Sequence, residues 1–180
     1  EQRGDFDGRS VILEDYKSNY NPEKWMVVPL ECYPYAVWSD PNCYVDDNYT
    51  FIAKHSSMYF SSLSNGSVVQ TEALIPASNW TLEPIGEGYF KINNFEKECL
   101  ATSDPNDKSN GVDAIIYNCD VSENQMWRFE PTADGCYKIV SKYSEKCLEV
   151  SGGGKGDNVT VQQFDYRGQD YQIWNIINID

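Results

Sequence analysis

Of the side chains that carry most enzyme chemistry, histidine occurs once, as His55, and cysteine six times, as Cys32, Cys43, Cys99, Cys119, Cys136 and Cys147. A Ser-His-Asp or Cys-His site would therefore have to be built on His55, which precedes Ser56-Ser57 in a stretch that reads as a hairpin turn. No pair of carboxylates stands out for glycoside hydrolysis. No catalytic residue is assigned, and the chain is expected to bind something rather than to catalyse a reaction. The cysteines show no Cys-x-x-Cys spacing, so neither a zinc site nor any other metal or cofactor is expected. Asp104-Pro105-Asn106-Asp107 and the pair Asp46-Asp47 are read as solvated turns, because Lys108 falls where a calcium loop would need a ligand.

An even cysteine count points to disulfides and an oxidising compartment. Four Asn-x-Ser/Thr sequons, at Asn48, Asn65, Asn79 and Asn158, agree with it. The expectation is a secreted, extracellular, N-glycosylated protein. No signal peptide is visible, as in a mature, processed form. The formal net charge of −14 repels phosphate backbones and anionic membranes, so nucleic acid is not an expected partner. No apolar run approaches a membrane span, and no membrane insertion is expected. Arg3-Gly4-Asp5-Phe6 contains the tripeptide that integrins recognise, but a three-residue match is common by chance and is given no role.

The elements that must position any site come from an internal repeat. Trp80, Trp127 and Trp174 are spaced 47 residues apart. Trp80-Thr81-Leu82-Glu83-Pro84 is followed by Gly88-Tyr89-Phe90-Lys91-Ile92, and Trp127-Arg128-Phe129-Glu130-Pro131 by Gly135-Cys136-Tyr137-Lys138-Ile139, in the same register. Each unit reads as four short β-branched or aromatic runs separated by clusters of Gly, Asn, Asp and Ser. No segment keeps a 3.6-residue apolar period. Three units of four strands imply an all-β chain, a β-trefoil over residues 49–180, with one Trp from each unit in the core. Residues 1–48 do not repeat. They form an aromatic-rich extension in which Cys32 and Cys43 would close a short loop, worth about 3 kcal/mol in the chain-entropy model. Such an arm either packs on the trefoil or reaches a neighbouring subunit, in self-assembly or with a partner.

Gln125-Met126-Trp127, preceded by Asn124, and Gln172-Ile173-Trp174 resemble the Gln-x-Trp signature of the ricin-B type lectin family. Cys99-Leu100 and Cys147-Leu148-Glu149-Val150 resemble that family's Cys-Leu-Asp-Val strand. The resemblance covers residues 49–180 and is faint in the first unit, where Ser78-Asn79-Trp80 has lost the Gln. It implies a disulfide Cys99–Cys119. Tyr166 occupies the place where Cys147 would find its usual partner, so Cys136–Cys147 follows by elimination.

The resemblance also implies binding of glycans or glycoproteins through galactose-type sites. Each would combine a carboxylate, a stacking aromatic and an amide. The first unit offers Ser61 and Glu72 at the carboxylate and aromatic positions, and no site is expected there. The second keeps Tyr117 and Asn124 but has Ala101 for the acid. The third has Glu149 as the acid, Phe164 to stack and Gln162 to orient, with Tyr171 in place of the Asn. The third unit is the better candidate. The competing reading is an extracellular structural or assembly subunit, with degenerate sugar sites and an arm for partner contacts. A protease inhibitor on the same fold ranks third.

Overall fold

A computed structural model describes residues 48–179 in full, together with the backbone of two short strands, β1 Gly4–Phe6 and β2 Arg9–Val11, which pair with each other antiparallel. The expected Cys32–Cys43 staple lies outside the described residues, as do most of the residues of the expected arm.

Residues 49–178 form twelve strands joined in one antiparallel network, with no α-helix among the described residues. They fall into three units. The first holds β3 Tyr49–Ala53, β4 Tyr59–Ser62, β5 Val68–Thr71 and β6 Trp80–Gly86. The second holds β7 Tyr89–Asn94, β8 Cys99–Thr102, β9 Val112–Tyr117 and β10 Trp127–Pro131. The third holds β11 Tyr137–Ser141, β12 Cys147–Val150, β13 Val161–Phe164 and β14 Trp174–Asn178. The fourth strand of each unit pairs with the first strand of the next: β6 with β7, β10 with β11, β14 with β3. Within each unit the fourth strand meets the first through one aromatic pair, Tyr49 opposite Trp80, Phe90 opposite Trp127 and Tyr137 opposite Trp174. Six strands thereby close into a ring, which leaves them no free edge. The second and third strands of each unit form a hairpin beside it.

The ring is filled from inside. Trp80, Trp127 and Trp174 are fully buried. Each indole N–H donates to the carbonyl of the same residue of its unit: Phe60 at 2.9 Å, Leu100 at 2.9 Å and Leu148 at 3.2 Å. A buried indole needs such a partner, because an unmet donor away from water is costly. Phe60 packs on Trp80 and edge-on against Trp174, with centroids 4.8 and 5.2 Å apart, so the units share one aromatic core.

The hairpins interlock in a cycle. Fully buried Gln70 of the first unit donates to the carbonyls of Gly154 and Gly156 in the third. Fully buried Gln163 of the third unit donates to Asp107 and Ser109 of the second. At the matching place the second unit has Ile116, whose backbone N–H donates to Gly66 of the first. Each third strand is thus held by the loop of another unit.

The hairpin register aligns Ser61 with Val69, Ala101 with Ile115 and Glu149 with Gln162. Tyr59–Thr71, Cys99–Tyr117 and Cys147–Phe164 then stand equivalent. The aromatic position of the first unit is therefore Thr71, and the assignment to Glu72 is off by one residue. Glu72 lies past the end of β5, and its exposed backbone N–H is held by Asp157. Cys99 and Cys119 form a disulfide with Cα atoms 5.0 Å apart. Cys136 and Cys147 do not pair. Val140 faces Cys147 across β11 and β12, whereas Cys136 precedes β11 at its other end, in the turn closed by Thr132. The structure corrects that pairing.

Replacing Trp127 with Ala is expected to lower unfolding free energy by about 3–5 kcal/mol in a urea titration. A loss under about 1 kcal/mol would contradict its place in the shared core.

Candidate functional site: the hairpin face of the third unit

Strands β12 and β13 place Glu149 directly opposite Gln162 and Cys147 opposite Phe164. Residues two apart on a strand share a face, so Glu149, Gln162 and Phe164 project to one side of the hairpin. The 3-10 turn Asp170–Gln172 then brings Tyr171 and Gln172 to that side. Gly153, in the loop after β12, has a φ of +67°, and a Cβ there would lie 2.6 Å from the Tyr171 ring. Only glycine combines that backbone with that approach.

Glu149 is fully buried, and its carboxylate is met on both oxygens. Gln162 Nε2 donates to Oε1 at 2.9 Å, and Gln172 Nε2 to Oε2 at 3.0 Å. Arg167 Nη2 donates to both, at 3.3 and 3.0 Å. A carboxylate out of water is costly unless paired and hydrogen-bonded, and this one is both. The Arg167 guanidinium also lies over the Phe164 ring, 3.9 Å from its centroid, and 5.7 Å from that of Tyr171. Gln172 further ties the loop down, donating to Asp165 O at 2.8 Å and accepting from Arg167 N at 2.7 Å.

The structure therefore brings Glu149, Gln162, Phe164 and Tyr171 to one place, and Tyr117 and Asn124 to another. In the second unit, Tyr117 is 57% exposed, whereas Asn124 is buried and donates to the Thr102 carbonyl at 3.2 Å. Ala101 beside it offers no acid. In the first unit Ser61 is buried and shares hydrogen bonds with Thr71 at 2.6 Å and Ser78 at 2.7 Å. Three hydroxyls there satisfy one another.

Arg167 was missed by sequence reasoning. Its signal is a base in the short return loop between the third-strand aromatic and Gln-x-Trp, opposite the one acid of the hairpin face. His55 also belongs nearby: its Nε2 lies 2.9 Å from Gly154 O, and its ring meets Tyr171 edge-on. It braces the loop after β12. Among the described residues, no group of three or more His, Cys, Asp or Glu side chains is placed to hold a metal.

A closed ring of six strands with three hairpins and an indole triad at its centre define a β-trefoil. A family model described as ricin-type beta-trefoil lectin domain-like matches residues 76–164 and 123–180, together more than half of the chain. The chain belongs to that family. A designed three-fold symmetric protein, ThreeFoil, superimposes with a TM-score of 0.71 at 28% identity, over 74% of this chain and 100% of its own. An exo-beta-1,3-galactanase from Clostridium thermocellum gives 0.70 at 27% identity, and the match covers 74% of this chain but only 30% of the enzyme. A Macrolepiota procera ricin B-like lectin, solved in complex with lactose, gives 0.65 at 14% identity, over 73% of this chain and 95% of the lectin. No curated protein matches the sequence.

Cys147 tests the local packing. Burial pushes its thiol up to about 11. Thiolate is the reactive form, so little is present at pH 8. Cys136 is raised too, chiefly by burial, but is only half-buried. Iodoacetamide at pH 8 should alkylate Cys136 and spare Cys147 until the protein is unfolded. Peptide mass mapping checks this, and equal labelling in the native protein would contradict it.

Proposed function

We propose that the chain is a secreted, non-catalytic carbohydrate-binding protein that takes a galactose-type sugar on the hairpin face of its third unit. The observation that carries this reading is the convergence of Glu149, Gln162 and Phe164 on one face. A sugar of this type has an apolar face and paired hydroxyls. It is served by an aromatic ring, a carboxylate and an orienting amide. The exposed Tyr117 lacks an acid beside it, so it ranks second. Family membership supports the class of ligand, and the lactose held by the Macrolepiota procera lectin is the first sugar to try.

The Cys99–Cys119 disulfide supports an oxidising compartment. Of the sequon asparagines, Asn65 and Asn158 are exposed in loops and suit a glycan, while Asn48 and Asn79 are half-buried. The partners are glycans or glycoproteins. A single shallow site binds weakly, so multivalent presentation would supply the avidity.

A glycan array should retain ligands ending in galactose. In calorimetry, Phe164→Ala should weaken lactose binding by about tenfold or more, since a stacked aromatic is worth roughly that factor. Unchanged binding in Phe164→Ala would move the site elsewhere. An array with no binding at all would favour the assembly-subunit reading.

A further inference from the structure

The Arg167 guanidinium occupies the third-unit site in the manner of a ligand. It pairs with both oxygens of Glu149, at 3.3 and 3.0 Å. It lies 3.9 Å over Phe164, which is van der Waals contact with the ring face, and it neighbours Tyr171. Three of the four side chains assembled for a sugar are thus already engaged by one planar cation. A planar guanidinium suits this double role, because it forks onto a carboxylate and stacks on an aromatic at once. Its backbone anchor is separate: Arg167 N–H is held by Gln172 Oε1 at 2.7 Å. The side chain can therefore leave without the loop coming undone. It is also 43% exposed, so it has a path to water.

We propose that Arg167 is a built-in competitor for this site, which a neutral galactose-type sugar must displace before it can stack on Phe164 and bond to Glu149. This rests on the carbohydrate-binding reading above. Both interactions that a sugar needs are unavailable while the guanidinium is in place. A sugar on that ring face would overlap it, and hydroxyls would find the carboxylate's donors already supplied. Displacement exchanges an ion pair between two charged groups for hydrogen bonds from neutral hydroxyls to the same carboxylate, which lowers the apparent affinity of an otherwise competent site. Arg167 thereby sets the threshold for binding. Gln162 and Gln172 stay on the carboxylate in either state and keep it from being left bare.

The test is lactose titration of wild type, Arg167→Ser and Arg167→Lys by calorimetry, with thermal unfolding to confirm that each variant is folded. Arg167→Ser should bind about tenfold tighter or more, the factor expected when a charge-assisted contact no longer has to be broken. Arg167→Lys keeps the charge but loses the stacked plane, and should fall between the two. If wild type binds lactose and Arg167→Ser binds equally or more weakly, the competitor role is wrong while the carbohydrate reading stands. If neither binds lactose, the carbohydrate reading fails at this site and this inference with it. Wild-type protein gives an independent check should the variants not fold. The NMR signal of the Arg167 Nε–H should move toward its solvated position as lactose is added. Shifts at the Gln162 side-chain amide with an unmoved Arg167 signal would overturn the proposal.

Discussion

Three indole rings fill the space inside the closed ring of strands, and each is fixed by one hydrogen bond to the second strand of its own unit. Much of the fold follows from that repeated contact. The bond sets how far the hairpin sits from the ring, because Phe60, Leu100 and Leu148 must each present a carbonyl to the indole. The side chains of those three residues are themselves fully buried and close the core from the hairpin side. Contacts between units complete the cover, as where Phe60 of the first unit packs edge-on against Trp174 of the third. Only three together enclose the apolar surface that stabilises them.

With the frame fixed, the equivalent hairpin positions are free to differ. The position of Glu149 is Ser61 in the first unit and Ala101 in the second. In the first unit, Ser61, Thr71 and Ser78 meet one another's hydrogen-bonding needs. In the second, an alanine packs, and Asn124 turns inward to the Thr102 carbonyl. In the third, a buried acid demands several donors, and Gln162, Gln172 and Arg167 supply them. A buried charge recruits its surroundings in a way that a serine or alanine does not. That is why the third unit gathers amides and a guanidinium around one acid on its hairpin face.

Much of the architecture was legible in the sequence because it is written in large, evenly spaced residues. The Trp spacing marks three units, and the turn clusters between β-branched runs mark the hairpins. Where the motif decays, the reading slips: without Gln-x-Trp in the first unit, nothing in the sequence separates Glu72 from Thr71 as the aromatic position, and only the register picks Thr71. Pairing Cys136 with Cys147 by elimination failed for a different reason. Elimination counts cysteines, whereas the register sets Cys147 against Val140 and leaves Cys136 at the other end of β11. Glu149, Gln162 and Phe164 could be gathered from the alternation of two paired strands. Arg167 could not, since its place is fixed by the path of an irregular loop and by the charge it answers. Gln172 was read as part of a signature, and its bond to Glu149 appears only when the 3-10 turn is folded against the hairpin.

The central claim is that the third-unit hairpin holds a galactose-type sugar on Phe164 and Glu149. A crystal structure of the protein grown with lactose tests it most directly. The account predicts galactose stacked on the Phe164 ring, its hydroxyls on the Glu149 carboxylate, and the Arg167 side chain turned out to solvent. Lactose seated at Tyr117 or elsewhere, with the Arg167–Glu149 pair intact, would contradict it.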